Sequence, residues 1–370
     1  MKVVLTALVI FIVVLNTGCW DSRQLRDITV VKSAGYDTDD EEQQIEVTFS
    51  SPIPEKYRTT ERAQIVSALG HTPRNARDNL EAEVSETLDL SKLRVLMIGE
   101  ELASNDLYPP LDVLYRDPRS ALAAKLVIVE DKAKDLVDLR LEDRPRTSEL
   151  IAELIKAAEE KTMLPITNIQ LICPPLFDRG QDAMIPYLTV EEGSPHLAGV
   201  ALFNDKQMTG TLSERETTML LLMMDQLQQT ASLTEKVHSD RENELENYVT
   251  IDVEEVNRNL DVTVNQATGQ IEVPLKLGLF VNVIEYPLDD LDNEEKLNEL
   301  SALLADNFTE KFQELTEKLK ESNSDIIGIG RRIHAFHYPF WKEIEWKEVY
   351  PEVDFQVEVT VEIVRHGIIS

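Results

Sequence analysis

Six histidines, two cysteines and a Gly-x-Gly pair are the residues of this 370-residue chain whose types could do chemistry. The two histidines that lie close together are His334 and His337, separated by Ala335 and Phe336. A zinc-protease helix needs His-Glu-x-x-His, so that two imidazoles face one way beside a glutamate base. Here the glutamate is missing and the spacing is wrong, so no metal site is expected. Gly328-Ile329-Gly330 starts like a dinucleotide loop, but Ile333 takes the third glycine's place and the segment follows a helix. Arg331-Arg332 beside it could hold an anion, yet among 68 acidic residues a structural ion pair is the better reading. Cys173, between Ile172 and Pro174 with no histidine near it in sequence, reads as a buried inert thiol. Adjacent acids such as Glu100-Glu101 and Glu254-Glu255 carry no information in so acidic a chain, and no serine sits in Gly-x-Ser-x-Gly. No catalytic residue, cofactor or ligand-binding residue is assigned, and an enzyme is not expected.

Cys19 is different. Lys2 is followed by the uncharged run Val3 to Leu15 and then by Asn16-Thr17-Gly18-Cys19. A positive start, a short apolar run and small residues mark a secretory signal. As a helix this run reaches roughly 20 Å, short of the ~30 Å hydrocarbon core. Its end resembles a bacterial lipobox, in which the cysteine is lipidated and becomes the first residue. The departure is Asn16, where leucine is usual; Leu15 lies one place further out. Residues 1–18 are expected to be a lipoprotein signal peptide and Cys19 the lipidated residue. If Asn16 blocks processing, Val3 to Leu15 stays as an anchor, and the location is still a membrane. Lipidation removes Cys19 from any disulfide with Cys173.

The net charge of −31 fits an anchor of this kind. Such a surface repels phosphate backbones and anionic head groups, which excludes nucleic acid and adhesion through a basic patch. Acyl chains, at about 0.8 kcal/mol per buried CH₂, attach a protein without any basic surface.

The elements that carry these residues read as mixed α/β and α+β. Thr29 to Asp37 is a strand entering a turn, and Gln44 to Phe49 alternates as its hairpin partner. Thr72-Pro73 opens a helix with Ala76, Leu80, Val84 and Leu88 inward. Leu93 to Ile98 is a short strand ending at Gly99, Leu107 to Leu114 a helix, and Leu126 to Val129 a buried strand. Residues 142–146 look like a linker before an amphipathic helix over Thr147 to Lys161. Prolines 165, 174, 175, 186 and 195 then break the chain. Ala198 to Phe203 and Met208 to Leu212 form a hairpin, and Ser213 with Glu216 caps the next helix. Alternation at 249–253, 260–264, 271–283 and 353–363 predicts an antiparallel sheet. A long helix capped by Asp292 and Glu295 carries Leu297, Leu300, Leu304, Phe308, Phe312, Leu315 and Leu319 inward. Trp341, Trp346, Tyr338, Phe340 and Tyr350 read as core more than interface.

Several segments taken together look familiar. Cys19-Trp20-Asp21 is followed by Leu25. Gly70-His71-Thr72 leads to Ala76. Met97-Ile98-Gly99-Glu100-Glu101-Leu102-Ala103 and the segment Leu111-Asp112-Val113-Leu114-Tyr115-Arg116-Asp117-Pro118-Arg119 come next. Gly199 to Lys206 with Gly210, Leu212, Glu216 and Thr217 follow. Asp325-Ile326-Ile327-Gly328-Ile329-Gly330, Trp341, Trp346 and a terminal strand near Gly367 close the series. In this order, over nearly the whole chain, they resemble the spore germinant-receptor C subunits, the Ger(x)C family of germination lipoproteins.

That resemblance implies several mixed or antiparallel sheets packed with helices. It divides the chain into an N-terminal region over 19–192, with a candidate internal boundary near 141–147, and a C-terminal domain over 197–370. It implies a subunit of a nutrient receptor, lipid-anchored through Cys19 on the outer face of the spore inner membrane. Its partners there would be integral membrane A and B subunits, and its role assembly and signalling. The family offers no catalytic residues to carry over. The alternative is a solute-binding lipoprotein serving a transporter, a class that needs two doubly wound domains around a cleft.

Overall fold

The computed structural model describes residues 28–39, 41, 43–53, 63–83, 87–139, 147–289 and 291–367. The leader over 1–18, Cys19 with Trp20, Asp21 and Leu25, Val84, and the linker over 142–146 lie outside the described residues.

The N-terminal strands are β1 (Ile28–Val30), β2 (Ser33–Asp39), β3 (Gln44–Pro52) and β4 (Ala63–Gly70). Helix α1 (Pro73–Glu83) follows, its first turn capped by Thr72 Oγ1, which accepts from the Asn75 N–H over 3.1 Å. Strands β5 (Thr87–Asp89) and β6 (Val95–Gly99), helices α2 (Glu100–Asn105) and α3 (Tyr108–Arg116), and strand β7 (Lys125–Val129) come next. Helices α4 (Ala133–Val137), α5 (Thr147–Glu160) and α6 (Ile169–Ile172) lead to the strands β8 (Met184–Glu191), β9 (Ser194–Asn204) and β10 (Gln207–Leu212). Helix α7 (Glu214–Met223) is opened by a full capping box between Ser213 and Glu216.

Eight of these strands form one sheet in the order β10-β9-β8-β7-β6-β2-β3-β4. Its centre is parallel, β2 to β6 to β7 to β8, and its flanks are antiparallel hairpins. A parallel centre needs crossovers, which the helices supply, and they cover both faces. That is why Val95 to Gly99 is a continuous buried run without polar alternation. Leu96, Ile98, Leu126 and Ile128 face the layer of α1, α3 and α6, while Val95, Met97, Val127 and Val129 face α4, α5 and α7. Strands β9 and β10, which follow residue 192, lie in the same sheet as the strands before it.

The second sheet contains β11 (Ala231–Lys236), β12 (Tyr248–Leu260), β13 (Thr263–Val264), β14 (Ile271–Glu285) and β15 (Asp354–Arg365). Its inward residues join the core of the first sheet's α4, α5 and α7 face. Helix α8 (Glu294–Glu321) runs for 28 residues and buries Leu300, Leu304, Phe308, Phe312, Leu315 and Leu319. The chain ends through α9 (Ile329–Phe336), α10 (Tyr338–Trp341), α11 (Trp346–Val349) and β15.

Three expectations are corrected. The sheet is not wholly antiparallel: β15 pairs parallel with β14, because α8 and the short helices form the crossover that returns the chain to the same end. The cap of α8 is Asn293, whose side chain accepts from the Glu295 N–H, and not Asp292. Leu88 belongs to β5, and α1 stops at Glu83. Strands β4 and β8 carry no clear sequence signal. In β8, Pro186 is accommodated because pairing with β7 begins only at Tyr187.

Candidate functional site

The motif Asp325-Ile326-Ile327-Gly328-Ile329-Gly330 folds into a tight turn between α8 and α9. Asp325 is 1% exposed. Its Oδ1 accepts from the backbone N–H groups of Gly328 and Ile329, both at 2.9 Å. Its Oδ2 accepts from Gly330 N at 2.7 Å and from the indole Nε1 of Trp346 at 3.1 Å. Gly328 takes φ of 79°, the left-handed region that lets the chain double back into α9. Gly330 has no room for a side chain: a Cβ there would sit 2.5 Å from Trp346 Nε1 and 2.7 Å from Gly180 Cα.

That contact joins the turn to the first sheet. Arg331 N donates to Gly180 O over 2.8 Å, and Asp182 N donates to Asp325 O over 3.0 Å. Asp182 returns the bond, its carboxylate accepting from Asp325 N and Asp205 N, each at 2.8 Å. Ser324 Oγ donates to the Phe203 carbonyl, and Tyr350 donates its hydroxyl to the Ser324 carbonyl at 3.1 Å. Arg331 closes the rim with an ion pair to Asp178 at 2.7 Å, and Lys347 pairs with Asp205. Four chain segments, near residues 180, 204, 327 and 348, are thereby tied into one knot at the edge of both sheets.

The electrostatics follow from burial. Desolvation pushes Asp325 up to about 7, against the pull of its backbone donors, and the Asp182 charge adds to the rise. Burial also raises Asp182. Each donor is spent on holding the turn. Both oxygens of the Asp325 carboxylate are taken up by these bonds, so the chemistry of the knot is that of a rigid joint.

A second buried acid plays a similar part in the first sheet. Asp37, at 2% exposure, accepts from Ala133 N at 2.7 Å and Lys134 N at 2.9 Å and so fixes the start of α4. Burial pushes it up to about 6. Gly99 of the Met97 to Ala103 motif gives it space, since a Cβ there would stand 2.3 Å from Asp37 Oδ1.

The sequence-singled residues divide clearly. Asp325, Gly328, Gly330, Trp346 and Tyr350 come together, and Trp341 lies 5.9 Å from Trp346 between ring centres. The histidines are used separately: His334 packs against Tyr338 and Trp341, and His337 Nε2 lies 3.3 Å from the Val262 carbonyl. Arg331 forms the expected kind of ion pair, whereas Arg332 donates to the Leu260 carbonyl. Cys173 is a free thiol, but it is only partly buried, at the end of α6. Of the aromatic cluster, Trp346 and Tyr350 are core, while Tyr338 is 50% exposed. Gly180 and Asp182 escaped the sequence reading. Their signal is a polar, glycine-bearing stretch from Asp178 to Asp182 just before an apolar strand.

Comparison with known proteins places these motifs. Residues 21–190 match the spore germination protein N-terminal domain, and residues 198–367 match the spore germination B3/GerAC-like C-terminal domain. Over 355 residues the chain is 22% identical to spore germination protein GerQC of Bacillus cereus, covering 95% of each. Spore germination protein B3 of Bacillus subtilis (strain 168) is 18% identical over 374 residues, covering 97% of each. The crystal structure of the GerBC protein has the same fold, with TM-score 0.59 at 16% identity over 93% of this chain and 100% of that one. Solute delivery to a transporter gains no support from these matches. Two consecutive family models account for nearly the whole chain, and the chain belongs to the family of GerAC-like spore germination proteins.

Proposed function

We propose that this chain is the C subunit of a nutrient germinant receptor. Acyl chains on Cys19 hold it to the outer face of the spore inner membrane, where it works with the integral membrane A and B subunits. Its role is assembly and signalling, and not catalysis. The observation that carries this reading is the match to both germination domain models in order along the chain. The knot around Asp325 supports it, because a rigid joint between two sheets suits a scaffold that passes on a change of state.

Attachment through lipid agrees with the remaining features. No helix among the described residues is long and apolar enough to cross a membrane, and the net charge of −31 opposes electrostatic adhesion. Lipid on Cys19 supplies the missing attachment energy.

The test is purification of the tagged chain from detergent-solubilised spore inner membranes, with co-purifying proteins identified by mass spectrometry. Recovery with integral receptor subunits is expected. Recovery with a permease and its ATPase would replace this reading with solute delivery. In the same strain, Cys19→Ala is expected to release the chain from the membrane fraction.

A further inference from the structure

A cavity of about 310 Å³ lies between α1, the end of α3 and the outer half of the eight-stranded sheet. That is the low end of the range for small-molecule pockets. Its floor is made by Tyr36 and Phe49 from adjacent strands, each 1% exposed, and its walls include Leu88 and Leu114. Arg77 and Arg119 stand at its edge. In all, the lining carries three arginines and two aspartates, against 37 basic and 68 acidic residues in the whole chain.

The Tyr36 hydroxyl is the unusual group. The hydroxyls of Tyr108, Tyr115, Tyr187 and Tyr350 each donate within the protein, to Asp112, the Ile169 carbonyl, Glu100 and the Ser324 carbonyl. Tyr36 is as deeply buried as any of them, yet among the described residues its hydroxyl meets no hydrogen-bond partner. Tyr36 lines the cavity, so its hydroxyl is free to take a partner there. Arg77 is held rigidly nearby, its Nε on Glu81 at 3.0 Å and an Nη on the Leu88 carbonyl. A pre-positioned hydroxyl and a guanidinium beside the apolar side chains of Phe49, Leu88 and Leu114 are the parts of an anion-receiving pocket.

We propose that this cavity binds a small organic anion with an apolar body. Its carboxylate is received by the Tyr36 hydroxyl and Arg77, and its apolar part lies against Phe49, Leu88 and Leu114. Arg119, half-exposed and paired with Asp117 at 3.4 Å, stands at the edge, where an entering anion competes for it. This goes beyond the receptor-subunit reading and does not depend on it, since the pocket is built wholly within the N-terminal strands and helices.

The test uses the full chain in detergent micelles and 4-fluorophenylacetate as probe, followed by ¹⁹F NMR. Saturable broadening of the probe is expected, with little for the uncharged isostere 4-fluorophenylacetamide. Tyr36→Phe, which removes only the unpartnered hydroxyl, and Arg119→Gln are each expected to weaken binding roughly two- to tenfold. Arg77→Gln also disturbs a structural bond, so the other two variants decide. No saturable broadening at millimolar probe, equal binding of the amide, or undiminished binding in both deciding variants would each overturn the proposal.

Discussion

The indole N–H of Trp346 donates to Asp325 Oδ2 over 3.1 Å, in the buried joint between the eight-stranded and five-stranded sheets. This bond links α11 to the turn before α9, and the same carboxylate holds three backbone N–H groups of that turn. Asp325→Ala leaves four buried donors without an acceptor. It is expected to cost about 4 kcal/mol, and Trp346→Phe, which removes one donor and part of the indole's packing, about 2 kcal/mol. Urea unfolding followed by tryptophan fluorescence measures the first variant, and circular dichroism the second. Equal losses in the two would contradict the assignment of Asp325 as the centre of the knot.

The same carboxyl makes stability depend on pH. The folded chain holds the Asp325 proton up to about 7, while the ordinary value is 3.8. Protonation therefore favours the fold between these values. The contribution is complete below pH 3.8 and is lost as pH rises through 7. Asp37, raised to about 6, acts with the same sign in a lower window. A decline of roughly 4 kcal/mol between pH 5 and pH 8 is expected from these two groups, read as a fall in the urea midpoint. Asp325→Asn should flatten the upper part of that decline; an unchanged slope in the variant would place its cause elsewhere.

Gly330 and Gly278 provide a matched pair. A Cβ on Gly330 meets Trp346 Nε1 at 2.5 Å and Gly180 Cα at 2.7 Å, whereas on Gly278 its nearest neighbour is Thr360 Oγ1 at 3.5 Å. Gly330→Ala is expected to cost about 3 kcal/mol through overpacking, and Gly278→Ala less than about 0.5 kcal/mol. Thermal melts of the two variants check this, and similar melting temperatures would argue against a close approach of the two backbones.

Glu235 of β11 is fully buried and paired with Arg215 of α7 and Lys311 of α8. The cations are partly exposed, so they can regain water when the acid is removed, but the acid cannot when they are. The double variant Arg215→Met, Lys311→Met is expected to cost about 3 kcal/mol, and Glu235→Gln less than half as much. Chemical denaturation of both checks the order, and the reverse order would count against the buried-charge argument.

Local signals were the legible part of this fold. The capping box at Ser213 and Glu216, the spacing of Leu300, Leu304, Phe308 and Phe312, and the alternation from Ile271 to Val283 each depend on residues close in sequence, and each is present. Strand β4 was not legible because its alternation is weak, and β8 because Pro186 and its neighbouring prolines read as breaks. The parallel pairing of β15 depends on a crossover that no local pattern reports. At the knot, Asp325, Gly330 and Trp346 stood out as a motif, but their counterparts Gly180 and Asp182 lie more than 140 residues earlier, with Asp325 N donating to Asp182 across a separation of 143. Such pairings belong to tertiary structure, and spacing along the chain does not carry them.

The most direct test of the receptor reading is the nutrient response of spores that lack this chain, with and without a restored copy. Loss of the response to nutrients, with an intact response to a non-nutrient trigger and recovery on restoration, is the result the account predicts. An unaltered nutrient response in a strain carrying no other receptor of this family would contradict it.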